Sequence, residues 1–537
     1  MIVLLITVSV AAVVFLTLRS RNSAIWEDEQ EQETTEITYE ETQTEKETVV
    51  VEDVSIADRL SEVLRLAVAS EDGQNMDEVI EGFRELADLG NSDAQYFLGE
   101  IYFQGIGTEP DIGKAGSYFK EACDNGNKKA MILYGKMLFM GDGVPQNYDE
   151  SAACFGALAD SDGEAAYLLG IMCNLGMGVP RDAQKSKALI DRSVALGYEQ
   201  ASSYVGKILP AESAVAGTEG FIPCIKEIRN LEYGSDDSTL QTLIDEYDRM
   251  LKETECYRAF DEEILGLYDI DEMGISMITI FGNDGYLFHQ NENDGTSLHD
   301  YIGDNYFSED DLKKIAANLK KQKEWVESQG AQFVLLLIPN KESIYPEHMP
   351  AYIKRVNEAS REDQLAAYLQ ENTNINVIYV KDTLKSNKEA YPLYYKTDTH
   401  ANMVGSLFMV SDLFQSLYGK QIEPDLDKFV VHMEDYMGDL GRMAKCTDRY
   451  ARDKVYFYPE SSVGDDEKID SSMMLVGDSF SEFINIEAAY YLSGGVDHRM
   501  ITEYDYNYHS ATQAGFNTSK PDYVIWECVE RYLDRLK

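Results

Sequence analysis

The sequence predicts a multidomain chain: an α-solenoid of helical hairpins, then an α/β domain with a mainly parallel sheet, behind an N-terminal transmembrane helix. Three observations support this prediction. An uncharged apolar run opens the chain, residues 55–210 repeat with a fixed period, and from residue 275 onward short apolar runs alternate with amphipathic helices. The 537 residues suffice for about two to four domains.

The first element is the run IVLLITVSVAAVVFLTL at residues 2–18, which carries no charge. A membrane-spanning helix needs at least about 17 apolar residues, so we predict a transmembrane signal anchor at 1–20. A cleaved signal peptide is the second interpretation, and a buried helix of a soluble domain is the third. Arg19 and Arg21 follow the run, and the positive-inside rule would place that end in the cytoplasm. The sequence downstream of the run instead favours placing the rest of the chain on the extracytoplasmic side.

The second element is an acidic linker at 21–54, in which Glu and Asp alternate with Thr and Gln. Such a segment buries too little apolar surface to offset its ordering entropy, so we predict that it is disordered. The whole chain has a net charge of −49, which argues against a nucleic-acid partner and against docking on an anionic membrane surface. A neutral or weakly charged substrate fits this charge, and solubility alone is the other explanation.

The seven cysteines form no CxxC pair and show no zinc-type spacing with histidine. This spacing gives no sign of a zinc site, and we expect neither a metal nor a cofactor. Because the number of cysteines is odd, at least one thiol is free or pairs with another chain.

The third element is the repeat region, 55–210. The alanines that open three copies, Ala94, Ala130 and Ala165, are 36 and then 35 residues apart, and each copy continues with a GxG. A fixed period of this size predicts stacked helical hairpins. One hairpin cannot bury its apolar face alone, so about four of them stack into a short solenoid.

The repeat pattern A-x-x-x-L-G-x-x-Y-x-x-G-x-G resembles the Sel1-like subclass of tetratricopeptide repeats. In the copy that opens at Ala94, the second helix also fits the Sel1-like pattern, at Lys114-Ala115, Phe119, Ala122 and Gly126. The resemblance implies a surface that binds a protein partner. A structural spacer without a partner is the alternative.

The fourth element, 211–274, is predicted to be a connecting helical segment with one helix near 237–256. From residue 275 to 537 we expect a buried parallel sheet covered by helices, among them helices at 309–328 and 403–417. The active site of such a sheet lies at the carboxyl ends of its strands. The predicted strands are Met277–Phe281, Phe333–Ile338, Val377–Val380, Met473–Val476 and Tyr523–Trp526.

A strand-to-helix turn, Gly477-Asp-Ser479, presents a candidate nucleophile. The glycine allows a tight turn, the Ser479 hydroxyl is exposed at the strand end, and backbone N–H groups there can face a developing oxyanion. A serine at this place is otherwise a helix N-cap.

Asp398 and His400 are the candidate partners of Ser479. The histidine can accept the serine proton while the aspartate fixes its tautomer. The alternatives are a structural turn and half of a metal site, and for the second no further Asp/His cluster offers a full ligand set. Asn340 and Lys341 follow a predicted strand at the same edge, where a donor to the oxyanion or the substrate is expected; a proline-dependent loop is the alternative.

Taken together and in order, these segments resemble the SGNH-hydrolase-like domain of alginate O-acetyltransferases and their relatives. The resemblance implies a Ser479–His400–Asp398 triad, with Gly477, Asn340, Lys341 and Asn402 as candidates for oxyanion or substrate binding. The segments are G-N-D-G-Y-L-F (282–288), P-N-K-x-x-I-Y-P (339–346), T-D-T-H-x-N-x-x-G (397–405), G-D-L (438–440), G-D-S-F (477–480) and a late P-D-Y-V-I with Glu530-Arg531.

The resemblance implies an extracytoplasmic polysaccharide O-acetyltransferase that works through an acyl-enzyme. It also implies a membrane-bound O-acyltransferase that delivers the acetyl group, and a single-pass location in the cell membrane. Two alternatives stay open: a carbohydrate O-acetyl esterase with the same triad, and a non-catalytic glycan-binding scaffold.

Overall fold

The computed structural model describes residues 55–70, 75–205, 238–252, 279–290, 297–443, 453–501 and 507–537. Residues 55–537 form one compact unit. The expected signal anchor at 1–20 and the acidic linker at 21–54 lie outside the described residues. Within the described ranges, no helix combines the length and apolarity that a membrane crossing requires.

The N-terminal half of this unit is a stack of helical hairpins, as the repeat period predicts. The helices pair as α1–α2, α3–α4, α5–α6 and α7–α8, and a short α9 follows. Their bounds are α1 Ile56–Ala69, α2 Met76–Asp88, α3 Ser92–Gln104, α4 Ile112–Asp124, α5 Lys128–Met140, α6 Tyr148–Leu158, α7 Gly163–Leu175, α8 Ala183–Ala195 and α9 Ala201–Tyr204.

Local caps explain where the repeat helices begin. The Asn91 side chain accepts from the backbone N–H of Ala94, and Asn127 does the same for Ala130. These bonds satisfy N–H groups that have no partner inside the helix. The second glycine of each GxG lies against the preceding hairpin: at Gly107, with φ +67°, a Cβ would overlap Met76. Glycine is therefore required where successive hairpins meet.

The helix predicted at 237–256 is present as α10, Ser238–Lys252, but it does more than connect two domains. Its apolar residues join the core of the repeats, and the Tyr247 ring lies 5.1 Å from the Phe97 ring. Asp248 accepts a hydrogen bond from the Tyr96 hydroxyl and pairs with Lys129 at 3.0 Å. Thus α10 packs against the first three hairpins of the solenoid.

The C-terminal half contains a five-stranded sheet with the order β4-β3-β9-β7-β8. All neighbouring strands in it are parallel, which confirms the predicted α/β architecture. Bounds are β1 Thr279–Phe281, β2 Leu287–His289, α11 Ser297–Ile302, α12 Glu309–Ser328, β3 Gln332–Ile338, α13 Lys341–Ile344, α14 Arg361–Asn372, β4 Asn376–Tyr379, α15 Lys381–Asn387, α16 Met403–Tyr418, β5 Val430–Tyr436, α17 Asp439–Met443, β6 Asp453–Phe457, β7 Met473–Gly477, α18 Ser481–Tyr491, β8 Val496–Met500, α19 Tyr508–Phe516 and β9 Tyr523–Val529. Short 3₁₀ turns lie at Pro346–His348, Leu426–Lys428, Glu460–Ser462, Asp465–Glu467 and Glu530–Leu536.

Helices cover both faces of the sheet, so its strands are apolar on both sides. Along β3, Leu336 packs with α16 and α18, whereas Leu335 and Leu337 pack with α12 and α14 on the other face. The predicted helices at 309–328 and 403–417 are α12 and α16.

One strand prediction needs correction, and one strand of the parallel sheet was not predicted. The run Met277–Phe281 was expected in the parallel sheet, but its described part, β1, pairs antiparallel with β2 in a separate hairpin. Three residues of β1 are too short to cross the sheet. The edge strand β8 was not predicted, because its sequence, VDHRM, is polar and partly exposed and lacks the apolar run of the inner strands.

Candidate active site

The candidate nucleophile lies where β7 passes into α18. The turn is closed by a bond from the Ser481 N–H to the Asp478 carbonyl at 3.1 Å and by one from the Phe480 N–H to the Asp478 carboxylate at 3.0 Å. Asp478 and Phe480 are buried while Ser479 is exposed. The fold thus presents the Ser479 hydroxyl at the carboxyl end of a central strand.

Gly477 contributes space to this turn. A Cβ there would overlap the Glu527 carboxylate and approach Ser481 Cβ to 2.9 Å. The same carboxylate accepts a bond from the Asp478 N–H at 3.0 Å. Burial raises the pKa of Glu527 well above its usual range, and the nearby Asp478 charge adds to this rise. The turn that carries Ser479 is therefore held by a hydrogen bond to Glu527 on the neighbouring strand β9.

His400 and Asp398 complete a hydrogen-bonded chain to Ser479. His400 Nε2 lies 2.7 Å from Ser479 Oγ, and His400 Nδ1 lies 2.6 Å from Asp398 Oδ1. The same carboxylate oxygen accepts from the His400 backbone N–H at 3.0 Å. The three predicted residues therefore have the mutual distances that general-base activation of a serine needs.

The second oxygen of Asp398 is held by two further donors. The Tyr436 hydroxyl donates to it at 2.6 Å, and the Asp439 backbone N–H donates at 2.9 Å. Burial alone would raise the pKa of Asp398, but the bonds from His400 and Tyr436 and the imidazole charge outweigh burial and hold the pKa well below its usual range. Asp398 is therefore ionised, and its charge could stabilise a positive charge on the His400 ring.

Lys341 anchors the loop that carries Asp398 and His400. Its buried Nζ donates to the carbonyls of Tyr395 and Lys396, both at 3.0 Å, and to that of Asp398 at 2.5 Å. Desolvation lowers the pKa of Lys341 to about 8. Its ammonium is committed inside the domain, so we assign it to holding the loop rather than to binding substrate.

Asn402 and Asn340 differ in how their side chains are used. Asn402 caps α16 by accepting from the N–H groups of Val404 and Gly405, and its amide donates to the Pro392 carbonyl at 2.7 Å. The Asn340 amide is buried and has no hydrogen-bond partner among the described residues. Of the two predicted donors, Asn340 alone keeps free bonding capacity.

Several contributors to the site were not predicted. Asp453 accepts bonds from the N–H groups of Lys396 and Thr397 at 2.7 and 2.8 Å, and no motif marks it. Tyr436 lies just before the G-D-L segment, which was the available signal for it. Arg531, noted only as part of the late motif, lies 4.9 Å from the Phe480 ring, whose other neighbour is the His400 ring at 4.6 Å.

Asp398, His400 and Asp439 have side-chain atoms that all lie within 4.8 Å of one another, a spacing that could hold a metal ion. Both imidazole nitrogens are already engaged, Nδ1 with Asp398 and Nε2 with Ser479. Asp439 in turn accepts bonds from the Thr399 N–H and hydroxyl. The cluster as arranged is a hydrogen-bonded network.

Comparisons with known proteins agree with the two halves of the chain. Residues 279–530 match the family described as "SGNH hydrolase-like domain, acetyltransferase AlgX". Residues 92–127, 128–162 and 163–198 each match the Sel1 repeat. A comparison with curated proteins gives no match.

Three similar solved structures have low overall superposition. The O-acetyltransferase domain of Pseudomonas putida AlgJ is 17% identical over 48% of this chain and 92% of its own, with a TM-score of 0.35. Pseudomonas aeruginosa AlgX is 17% identical over 48% of this chain and 63% of its own, with a TM-score of 0.35. A Sel1 repeat protein from Oxalobacter formigenes is 25% identical over 28% of this chain and 45% of its own, with a TM-score of 0.26. The chain thus spans less than two thirds of the last two.

The match over 279–530 includes the Ser479 turn and the Asp398–His400 loop. The matches over 92–198 cover the capped helical hairpins. Residues 279–530 are therefore similar to the family described as "SGNH hydrolase-like domain, acetyltransferase AlgX", and residues 92–198 match three Sel1 repeats.

Proposed function

We propose that residues 279–537 transfer an acetyl group to a hydroxyl of a polysaccharide, with Ser479 as nucleophile, His400 as general base and Asp398 as its orienting partner. The observation that carries this proposal is the unbroken chain from Ser479 Oγ to His400 Nε2 at 2.7 Å and from His400 Nδ1 to Asp398 at 2.6 Å.

In the first step, Ser479 Oγ attacks the acetyl carbonyl of the donor while its proton passes to His400 Nε2. The imidazolium then gives that proton to the leaving group, and the acetyl-enzyme forms. In the second step, His400 removes the proton of a sugar hydroxyl, whose oxygen attacks the acyl carbon. The bond from that carbon to Ser479 Oγ then breaks, and the imidazolium returns the proton to Ser479 Oγ. The ionised Asp398 stabilises the imidazolium in both steps.

The tetrahedral intermediates need hydrogen-bond donors for their oxyanion. The backbone N–H of Ser479 is the first candidate, because none of the described residues accepts a hydrogen bond from it. The Asn340 amide, which has no hydrogen-bond partner within the described ranges, is the second candidate. Removing one such donor lowers kcat by about 100-fold or more in enzymes of this type.

A carbohydrate O-acetyl esterase is the second candidate function. Ser479 is exposed, so water can reach an acyl-enzyme unless a bound acceptor excludes it. The triad would be the same, and only the second nucleophile would differ.

The proposal includes a location and partners. We place the catalytic domain on the extracytoplasmic side, anchored by residues 1–20, where a membrane-bound O-acyltransferase supplies the acetyl group. The acceptor is an extracellular polysaccharide, and the Sel1 repeats bind a protein partner. Fractionation with protease protection of intact cells tests the location: digestion of the domain from outside supports it, and protection until the cells are lysed contradicts it.

The enzymatic test uses residues 55–537, which form one compact unit. The fragment is incubated with p-nitrophenyl acetate, with and without a panel of oligosaccharides, and mass spectrometry locates acetyl on Ser479 and on sugar. Acetylated sugar that disappears in Ser479→Ala supports the transferase. Acetate release alone moves the esterase to first place. If neither an acyl-enzyme nor turnover is seen, with p-nitrophenyl acetate or with a membrane fraction that contains the donor system, both are contradicted in favour of a glycan-binding domain.

A further inference from the structure

The hairpin turn between β1 and β2 touches both the Sel1 repeats and the loop that carries Asp398 and His400. We propose that this turn, residues 282–286, is a positioning element that couples the repeats to the catalytic loop, with Asn283 as its main positioning residue. The Sel1 repeats then form part of the catalytic apparatus as well as a surface for partners. This inference rests on the proposed function of the site.

The turn is built to be rigid. Asp284 and Gly285 both have positive φ, 55° and 76°, as the two central residues of a tight hairpin turn require. The turn is closed by bonds from the Tyr286 N–H to the Asn283 carbonyl at 3.1 Å and from the Gly282 N–H to the Tyr286 carbonyl at 2.9 Å. Because these two bonds hold the turn closed, a displacement of Asn283 should also displace the residues that follow it in the hairpin.

On one side, the turn binds the middle Sel1 repeat. Asn283 Oδ1 accepts from the Tyr148 N–H at 2.8 Å, and Asn283 Nδ2 donates to Asp149 at 2.9 Å. The Asp284 N–H donates to the Gln146 carbonyl at 2.9 Å. Asp149 also accepts from the Ala351 N–H of the α/β domain at 3.1 Å. Burial raises the pKa of Asp149, as expected for a carboxylate enclosed by the contact.

On the other side, the same hairpin binds the catalytic loop at Lys396. The Leu287 N–H donates to the Lys396 carbonyl at 2.9 Å, and Lys396 Nζ donates to the Asp284 carbonyl at 2.8 Å. The ammonium also lies 5.0 Å from the centre of the Tyr286 ring. Lys396 precedes Asp398 by two residues, so a displaced turn would shift the carboxylate that orients His400.

The residue that meets Asn283 is specific to one repeat. At the second position of the same helix, the middle repeat has Asp149, the preceding repeat has Gly113 and the following repeat has Gln184. Repeat architecture alone does not require an acid there. The contact with Asn283 provides a reason for it.

A charge-swap cycle in the full chain tests this coupling. Asn283→Asp places two carboxylates against each other in a partly buried contact. Asp149→Asn alone removes one charge-assisted bond. The double variant Asn283→Asp/Asp149→Asn exchanges the two groups and can restore all three bonds, so it separates a lost interaction from a damaged fold. Gln184→Glu is the control, since it adds the same charge at the equivalent exposed position of the next repeat.

Hydrogen exchange of the amides at 395–400 and the kcat and KM for p-nitrophenyl acetate are measured for each variant. For Asn283→Asp we expect exchange to accelerate and kcat to fall, each by about tenfold, with KM within about twofold of wild type. The double variant should return to within about threefold of wild type, and Gln184→Glu should match wild type.

Two results would overturn the coupling. One is faster exchange at 282–286 in Asn283→Asp while exchange at 395–400 and kcat keep their wild-type values. The other is a double variant as impaired as Asn283→Asp. Because exchange at 395–400 does not depend on which reaction the site performs, the coupling is decided even if no variant, wild type included, turns over an ester.

Discussion

The helix starts of the Sel1 repeats and the Ser479 site of the α/β domain differ in how far apart in the sequence their hydrogen-bond partners lie. In the repeats, an Asx side chain caps the helix that it precedes, so donor and acceptor are three residues apart, as in Asn91 and Ala94. In the α/β domain, the bond between His400 and Ser479 joins residues 79 positions apart. The buried carboxylates of Glu487 and Glu530 each keep an oxygen that has no hydrogen-bond partner among the described residues. Local satisfaction yields a modular scaffold. Unsatisfied, long-range polar groups are typical of a site built for chemistry.

The largest expected difference between the two regions is in catalysis. Ser479→Ala should lower kcat for acetyl transfer by about 10⁴-fold or more, and His400→Ala should do the same, because members of a triad act as a unit. The free energy of unfolding should stay within about 0.5 kcal/mol of wild type for Ser479→Ala, since that side chain is exposed.

Kinetics with p-nitrophenyl acetate and urea unfolding check these two expectations. The double variant Ser479→Ala/His400→Ala sharpens the test, because a triad predicts that it is no slower than either single variant. Multiplicative losses would contradict the shared mechanism.

The next largest difference between the repeats and the α/β domain is expected from glycine substitutions. Gly107→Ala in the repeats places a Cβ on Met76 at a positive φ, and Gly477→Ala places one on the Glu527 carboxylate. Each should cost about 2–4 kcal/mol of unfolding free energy. Only Gly477→Ala should also lower kcat, by about 100-fold, because the Ser479 turn must shift.

Unfolding curves and kcat per mole of titrated active sites measure both effects. Gly156→Ala is the control. Among the described residues, and apart from its chain neighbours and the backbone of its own helix, no atom lies within 4 Å of the added Cβ, so the variant should be neutral or stabilise the helix by about 0.5–1 kcal/mol. If Gly107→Ala lowered kcat as much as Gly477→Ala does, the repeats would not be a scaffold separate from the Ser479 site.

Buried acids in the repeats give a smaller, pH-dependent effect. Glu100 is 2% exposed, and burial raises its pKa from 4.5 to about 7. Across that interval the native state binds more protons than the unfolded state, so this carboxyl makes stability fall as the pH rises from about 4.5 to about 7. Glu100→Gln removes this loss, and the glutamine can still accept from the Tyr96 hydroxyl.

We therefore expect Glu100→Gln to match wild type near pH 4 and to be more stable by about 2–3 kcal/mol above pH 7. Thermal unfolding across this pH range measures the difference, with the exposed Glu121→Gln as control. A difference that is constant with pH would mean that the substitution changes packing instead.

What the sequence predicted follows the same division. The hairpins, their GxG turns and helix α12 were predicted because each depends on local periodicity or caps. Asp398, His400 and Ser479 were identified because they lie in short motifs, although their meeting depends on the fold. Tyr436 and Asp453 were missed: Tyr436 reaches Asp398 across 38 residues, and neither residue lies in a repeating pattern. Strand β8 was missed because a polar edge strand carries no apolar signal.

The smallest effect tests whether Asn402 belongs to the scaffold or to the site. Its side chain makes two bonds to the first turn of α16 and one to the Pro392 carbonyl. Asn127 in the repeats is a close match, with one bond to its own helix and two to the preceding hairpin. Loss of an N-cap costs about 1 kcal/mol, so Asn402→Ala and Asn127→Ala should lower the unfolding free energy by similar amounts.

If Asn402 is only a cap, its loss should leave the KM for the oligosaccharide acceptor within about twofold of wild type. A substrate donor would behave in the opposite way, since KM would rise while stability stayed close to that of wild type. Urea unfolding together with acceptor KM, measured on both alanine variants, distinguishes these outcomes. The Asn127→Ala variant calibrates how much KM changes when a cap of equal strength is removed far from Ser479. If KM rose more for Asn402→Ala than for Asn127→Ala, Asn402 would be a residue that contacts the sugar.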